Sequence, residues 1–170
     1  MGAKKSIYIL LGTLFIAGFF SSCGIYSFTG KLDPNIKTIY VAYIENTAPL
    51  IMPTLSNSLT ERLVDKFTRQ TKLTFEEMDP DLHLEGEITS YDVTSIAVQA
   101  GEYAAQNRLT IAVRIRFTNS KDEKQNFNQA FSAYADFPSE QSLDAVQNSL
   151  VELIIEQLVE NIFNASVAPW

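Results

Sequence analysis

The sequence predicts an α+β fold, a two-layer sandwich in which two helices cover one face of a mostly antiparallel sheet of about four strands. Apolar and polar residues alternate in four segments, the pattern of a strand with one buried face, and apolar residues recur at helical spacing in two others. The segments follow in the order β-α-β-β-β-α. Because every segment has one apolar face, the simplest burial packs both helices on the same side of the sheet.

The first strand and the first helix are separated by a loop rich in turn residues. The strand is predicted over residues 38–44, where every second residue is apolar. The loop over residues 46–53 contains two prolines, and Pro53 or Thr54 suits the start of the helix. The predicted buried stripe of this helix consists of Leu55, Leu59, Leu63, Val64 and Phe67.

The next long strand changes phase along its length. A short extended piece is predicted around residues 73–75, and regular alternation then runs over residues 82–88. Tyr91 and Val93 are apolar on the opposite parity. A bulge near Ser90, or a change in the covered face, is predicted to account for this.

Two further strands follow a hairpin turn predicted at residues 100–102. The first of them alternates most regularly, and its predicted inward residues are Leu109, Ile111, Val113, Ile115 and Phe117. The residues that share one face of the last strand are Phe127, Phe131, Ala133, Ala135 and Phe137.

The final segment is predicted to be a long helix that begins near Ser139 or Ser142. Its predicted buried stripe consists of Leu143, Val146, Leu150, Ile154, Leu158 and Ile162. Glu152, Glu156 and Glu160 repeat on another face. Because like charges at this spacing destabilise a helix slightly, they indicate a positively charged partner nearby.

The only cysteine, Cys23, is predicted to be a site of lipid attachment. Lys4 and Lys5 precede an apolar stretch of 14 residues, 7–20, which is typical of a bacterial secretory signal. A helix of that length rises only about 21 Å, less than the ~30 Å hydrocarbon core of a bilayer. The small residues Ser21–Ser22 resemble the site that lipoprotein signal peptidase cuts before an acylated cysteine. The alternative is a secreted protein with a free thiol near its start.

The predicted organisation is a signal peptide over residues 1–22, an acylated N-terminal tether over residues 23–36 and a single α+β domain over residues 37–170. Removal of the signal leaves 148 of the 170 residues and changes the formal net charge from −7 to −9, because Lys4 and Lys5 are lost. A domain this acidic is not expected to bind nucleic acid. Membrane contact is expected through the acylated cysteine alone.

The residues after Cys23 predict a lipid anchor in the outer membrane, on its periplasmic side. Gly24 stands where an aspartate often signals retention at the inner membrane of a Gram-negative cell. Residues 25–30 also lack the acidic residues that some bacteria use to send lipoproteins to the cell surface.

The sequence predicts no enzyme, no cofactor and no metal site. His83 is the only histidine, and an acylated Cys23 has no thiolate, which excludes a paired-histidine metal site and a Cys–His nucleophile. No Gly-rich phosphate loop or nucleophile elbow is present. The carboxylates of residues 76–81 flank a proline turn without the spacing of a calcium loop.

Three arginines on one predicted strand, Arg108, Arg114 and Arg116, are the candidate binding residues. Arg114 and Arg116 share its outward face. The forked donors of arginine suit lipid phosphate groups or an acidic partner surface. The simpler alternative is cross-strand pairing with glutamates such as Glu85 or Glu87.

Five stretches distributed over essentially the whole chain carry a family resemblance. They are Cys23–Gly30, Asn46–Leu59, Leu84–Ile88, Ala104–Thr110 and Ala133–Phe137. Together they resemble the LptE family of lipopolysaccharide-assembly lipoproteins, in the form found in Bacteroidetes. The resemblance implies two helices packed on a four-stranded sheet, and a non-catalytic role. It also implies a partner, the outer-membrane β-barrel LptD, which family members plug and help to assemble for lipopolysaccharide transport to the outer leaflet.

Lipopolysaccharide itself is a second candidate partner, since some relatives bind it through basic residues. The outward sheet face and the hairpin around residues 100–107 are the surfaces expected to contact the barrel. Other classes stay open from the sequence. They are a periplasmic lipid-binding carrier or chaperone, a pilotin-like lipoprotein of another outer-membrane machine, and a carboxylate-dependent glycosidase that uses Glu85 and Glu87.

Overall fold

The computed structural model describes residues 33–50, 52–96 and 105–167 of the chain. Cys23, with the predicted signal peptide and most of the predicted tether, lies outside these residues. The predicted turn at residues 100–102 lies outside them as well. Neither of the helices in the described residues has the combination of length and hydrophobicity that a membrane span requires.

Six strands and two helices follow one another in the described residues. The strands are β1 (Thr38–Val41), β2 (Glu45–Asn46), β3 (Thr74–Phe75), β4 (Leu82–Ile96), β5 (Gln106–Asn119) and β6 (Phe127–Pro138). The helices are α1 (Leu55–Gln70) and α2 (Leu143–Val167). A 3-10 turn over Glu123–Gln125 joins β5 to β6.

The strands form one mixed sheet in the order β3-β1-β4-β5-β6, and β2 also pairs with β4. Strands β4, β5 and β6 are antiparallel to one another, whereas β1 joins β4 in parallel and β3 joins β1 in parallel. The connection from β1 to β4 contains α1, which gives it the length that parallel pairing requires. The predicted α+β sandwich is confirmed. In addition to the four predicted strands, the sheet contains two short strands, β2 and β3, of two residues each.

Both helices pack on the same face of the sheet, as the pattern predicted. Helix α1 lies against β1 and β2, α2 lies against β5 and β6, and the helices contact each other. The core residues of α1 and β5 that are fully enclosed are Leu55, Leu59, Leu63, Phe67, Leu109, Ile111, Val113 and Ile115. Burial of one such side chain stabilises the fold by about 1.5–3 kcal/mol, so this shared core accounts for the two-layer arrangement.

The predicted bulge in β4 is confirmed. The pairing of β4 with β5 shifts register between Ile88 and Ser90, which turns Tyr91 toward the helices. The Tyr91 hydroxyl accepts a hydrogen bond of 2.8 Å from Nε2 of Gln147 on α2. Burial raises the pKa of Tyr91. The bulge thus brings Tyr91 into the core, whereas Val93, which has the same parity, stays 40% exposed.

Asp81, just before β4, connects three segments of the chain. Its carboxylate accepts hydrogen bonds from the main-chain N–H groups of Lys37 (2.8 Å) and Thr38 (3.1 Å), and Lys121 Nζ lies 2.9 Å away. Its own N–H donates to Thr38 Oγ1 at 2.8 Å. The bond from Lys37, and then the one from Lys121, lower the pKa of Asp81 from 3.8 to about 2.

We expect Asp81→Asn to lower the free energy of unfolding at pH 7 by about 1–2 kcal/mol, because it replaces charge-assisted hydrogen bonds with weaker ones. The folded state favours the ionised carboxylate, so the contribution is present above about pH 4 and is lost as the pH falls toward 2. Denaturant unfolding of both proteins at several pH values measures this. Glu77→Gln, an exposed charge change in the same turn, is the control. A stability difference that does not shrink in acid would contradict the assignment.

Gly86 on β4 lies opposite Ile115 on β5 and leaves no room for a side chain. A Cβ atom built at this position would lie 2.4 Å from the carbonyl oxygen of Arg114 and 2.7 Å from Cδ1 of Ile115. The Ile115 side chain therefore occupies the space above the glycine. This close approach is a packing reason for glycine at this position.

We expect Gly86→Ala to destabilise the domain by about 1–3 kcal/mol, because the methyl group overpacks a filled site. Thermal and denaturant unfolding measure the loss. Glu85→Ala, on the neighbouring position of the same strand, removes only an exposed ion pair and should cost less than about 1 kcal/mol. Equal stability of Gly86→Ala and the wild type would show that the strands can separate at this point without cost.

Candidate functional site

The sheet face opposite the two helices, here called the open face, carries polar, charged and aromatic side chains. Alternation along each strand produces it, because burial of one parity directs the other parity away from the core. Its principal residues are Tyr40, His83, Glu85, Glu87, Asp92, Arg108, Arg114, Arg116, Asn128, Tyr134 and Asp136. No described helix covers this face, so it is the candidate functional surface.

Arg114 and Arg116 lie opposite Glu87 and Glu85 in the pairing of β5 with β4. Arg116 Nη1 is 3.1 Å from Glu85 Oε1, and Arg114 Nη1 is 3.9 Å from Glu87 Oε1. Each arginine side chain keeps 61% of its surface exposed. The cross-strand pairing expected from the sequence is therefore observed, and at this exposure each pair contributes at most about 1 kcal/mol to stability.

These two ion pairs line a shallow depression of about 320 Å³ in the open face. Tyr43 and Glu45 lie on its border on one side and Asn128 on the other, and Gly86 forms part of its lining. The depression presents two guanidinium groups, which donate hydrogen bonds, beside two carboxylate groups, which accept them. It is suited to a mixed polar surface rather than to a single anionic group.

Arg108 lies in a separate environment from the other two arginines. Its Nε and Nη2 atoms donate to the two carboxylate oxygens of Asp136 at 2.7 and 2.9 Å, and its guanidinium lies 3.7 Å from the ring centre of Tyr134. These bonds lower the pKa of Asp136. Arg114 is roughly 20 Å further along the strand, at ~3.4 Å per residue. The structure therefore brings Arg114 and Arg116 together and leaves Arg108 apart.

Aromatic side chains lie at the other side of the open face. The ring of Tyr40 is stacked on that of His83, with 5.5 Å between the ring centres, and Phe75 on β3 lies 5.5 Å from Tyr40 in a tilted arrangement. Phe75 and Tyr43 are each about half exposed. Exposed aromatic rings of this kind are typical of contact surfaces for a protein partner.

The glutamate ridge on α2 meets positive groups of α1. Arg62 Nη2 donates to Glu152 at 2.8 Å, and Lys66 pairs with Glu160. The bond from Lys66 lowers the pKa of Glu160. The positively charged partner that the glutamate spacing indicated is therefore the neighbouring helix of the same domain.

Most of the positive charge in the described residues is already paired. These residues contain ten lysines and arginines. The seven that each form an ion pair are Arg62, Lys66, Arg69, Arg108, Arg114, Arg116 and Lys121. Lys37, Lys72 and Lys124 lie in loops and a turn. Among the described residues, the open face thus has no cluster of uncompensated cations, and contact of its arginines with a lipid phosphate or a partner stays a prediction.

The described residues contain no group of three or more His, Cys, Asp or Glu side chains close enough to hold a metal ion.

Two further residues of the candidate functional surface were not predicted from the sequence. They are Asp136 and Tyr134, which together bind the Arg108 side chain. The register of β5 against β6 places Asp136 opposite Arg108. The geometry of the turn between β5 and β6 sets this register, so knowledge of that turn would have revealed the pairing of Arg108 with Asp136.

Comparison with known proteins identifies the fold and the family. The structure is similar to the hypothetical protein CT253 from Chlamydia trachomatis, with a TM-score of 0.55 at 9% sequence identity, covering 79% of this chain and 99% of that chain. It is also similar to XCC0632 from Xanthomonas campestris, with a TM-score of 0.51 at 15% identity, covering 79% and 88% of the two chains. At these identities the similarity concerns the fold alone.

A search of curated proteins found no significant match. The family model described as LptE, lipopolysaccharide-assembly, matches residues 36–166. This range includes α1, α2 except for its last residue and every strand described above, with all the open-face residues named above. The chain therefore belongs to the LptE lipopolysaccharide-assembly family.

Proposed function

We propose that this protein is an outer-membrane lipoprotein that plugs an LptD-type β-barrel and assists its assembly for lipopolysaccharide transport to the outer leaflet. In this proposal the signal peptide over residues 1–22 is removed and Cys23 is acylated. Residues 23–36 then tether the domain of residues 37–170 to the periplasmic side of the membrane. The observation that carries the proposal is the LptE family match over residues 36–166.

The charge arrangement of the open face supports a polar interior as its environment. A barrel lumen is lined by polar side chains, so a plug needs a polar surface. The arginines of the open face are paired within the domain with Glu85, Glu87 and Asp136. Such pairs can face a polar wall without leaving an isolated charge that has lost its water.

The same arrangement makes a lipid-binding carrier a weaker proposal. A site for phosphorylated lipid needs cations that are free to bind the anion, whereas seven of the ten cations among the described residues already have carboxylate partners. Catalysis is not part of the proposal, because the proposal assigns the residues of the domain to packing and to contact with the barrel.

We expect Cys23→Ser to release the protein from the membrane, because the acyl chains bound to the cysteine supply the membrane affinity. Fractionation of cells into soluble, inner-membrane and outer-membrane pools measures this, and mass spectrometry of the mature wild-type protein reports its first residue. Ser22→Ala, which keeps a small residue before the cysteine, is the control. Recovery of Cys23→Ser in the outer-membrane pool at the wild-type level would contradict lipid anchoring.

We expect the untagged wild-type protein to co-purify with a heat-modifiable barrel from detergent-solubilised outer membrane. The double change Arg114→Glu/Arg116→Glu should reduce the recovered barrel about tenfold or more, because it places four negative charges side by side on the open face and loses contacts to the lumen. Mass spectrometry of the captured complex identifies and quantifies the barrel.

Lys72→Glu/Lys124→Glu is the matched control, since it makes the same change in net charge outside the open face. It should retain the barrel. Wild-type protein that brings down lipopolysaccharide without any barrel would favour the lipid-carrier alternative. Barrel recovery that is equal for both double variants would overturn the open face as the contact surface.

A further inference from the structure

Strand β6 forms a long outer edge of the sheet. Its 12 residues pair with β5 in one continuous register, from Phe127 opposite Phe117 to Pro138 opposite Gln106, with no bulge. No described residue pairs with its other side. The opposite boundary of the sheet ends in β3, which is only two residues long.

The direction of the main-chain groups of β6 follows from the hydrogen bonds at the end of its ladder. The Ser139 N–H donates to the Ala105 carbonyl at 3.1 Å, which continues the pairing by one step. In an antiparallel pair, residues that bond to the neighbour alternate with residues that point away from it. The main-chain N–H and C=O groups that face outward therefore belong to Asn128, Ala130, Ser132, Tyr134 and Asp136.

Over most of its length this edge lacks the devices that usually keep edge strands from pairing, and its one proline, Pro138, is its last residue. Soluble proteins protect such edges with charged side chains, proline, bulges or short strands. Between Phe127 and Ala135, β6 contains no charged residue, proline or glycine. Its single charge, Asp136, is bound to Arg108 on the neighbouring strand. Unpaired main-chain groups in this arrangement are complementary to another extended strand.

We infer that β6 pairs with an extended, still unpaired strand of the barrel partner while the barrel assembles, an inference that rests on the function proposed above. The alternation in β6 fits such a strand. Phe127 and Phe131 lie on the helix side, whereas Asn128 and Ser132 lie on the open face. Strands of outer-membrane barrels alternate apolar and polar residues in the same way, so neighbours across the new pairing match in polarity.

The pairing is confined to the immature barrel. A closed barrel has no free edge, because every strand is bonded on both sides. Closure therefore removes the partner of β6 and leaves the plug held by its other contacts. A second copy of this chain is the less favoured occupant, because both mature copies carry a formal net charge of −9 and repel each other.

The inference is tested with Ser132→Pro. Ser132 directs its N–H outward, so proline removes a donor from the free edge and leaves the ladder with β5 intact. Glu123→Pro is the matched control. It places proline at the first position of the 3-10 turn, after a residue with extended backbone (φ −146°, ψ 95°), where proline is tolerated. Circular dichroism and thermal unfolding establish that both variants fold.

In cells that carry each variant as the only copy, pulse-chase labelling follows the conversion of the barrel to its heat-modifiable form. A photo-reactive residue at Asn128 reports contact with the barrel during the chase. We expect Ser132→Pro to slow maturation and to reduce early cross-linking by about fivefold, the effect of losing a main-chain hydrogen bond. Glu123→Pro should match the wild type. In both proteins the cross-link should disappear once the barrel has matured.

Equal maturation and equal cross-linking for the two proline variants would overturn the inference, while co-purification of the mature barrel with the wild type would leave the proposed function standing. If no barrel is recovered with the wild type, the proposed function itself fails. Cross-links between two copies of this chain that Ser132→Pro abolishes would identify a second copy as the occupant. Should Ser132→Pro fail to fold, Ala130→Pro replaces it, because Ala130 also directs its N–H outward. In addition, the cross-link from Asn128 in a chain without an introduced proline tests directly whether β6 contacts the immature barrel.

Discussion

The pairing of β4 with β5 is the constraint on which the rest of the domain depends. Fourteen residue pairs connect the two strands, and successive pairs alternate between the core and the open face. A slip by one residue would bring Glu85 into the core and expose Leu84. The close approach at Gly86, the bulge after Ile88 and the hydrogen bond from the Ser120 N–H to the Asp81 carbonyl all act on this register. The core and the polar surface are thus two sides of one ladder.

The distribution of charge follows from this arrangement. The domain is acidic, yet most of its positive side chains are placed beside carboxylates, across strands on the open face and across helices on the other side. Most of these pairs are exposed, so they add little to stability. Their main effect is to make each surface locally balanced. A balanced surface is compatible with burial against a polar wall, where an uncompensated charge would be costly.

Most of the fold could be predicted because its signals are local. The alternation in β5, the stripe of α1 and the phase change near Ser90 each require only a short window of sequence. The parallel addition of β1 to β4 could not be predicted, since the residues that pair are far apart in the sequence and β1 has only four residues. The extended piece predicted around residues 73–75 corresponds to β3, whereas β2, also of two residues, is too short to produce a periodic signal.

The candidate site was predicted less completely for a related reason. The arginines and the glutamates Glu85 and Glu87 were identified because they lie on strands with clear parity. The partners of Arg108 depend on the register of β5 against β6, which the turn at residues 119–126 fixes through the side chains of Asn119 and Asn126. Turn geometry of that kind is not visible in residue type alone. The prediction for Cys23 rests on the sequence only, because that residue lies outside the described part of the chain.

The parallel position of β1 has a consequence for the order in which the domain can form. A polypeptide is synthesised and exported from its amino end, so β1 is delivered before either of its neighbours. Thr38 bonds to Asp81, 43 residues later in the chain, whereas β4 pairs with β5 and β5 pairs with β6, strands that are adjacent in the sequence. Local pairing closes shorter loops and forms faster. We therefore expect the segment nearest the proposed acyl group to find its place last, after the carboxy-terminal strands have built the surface that receives it.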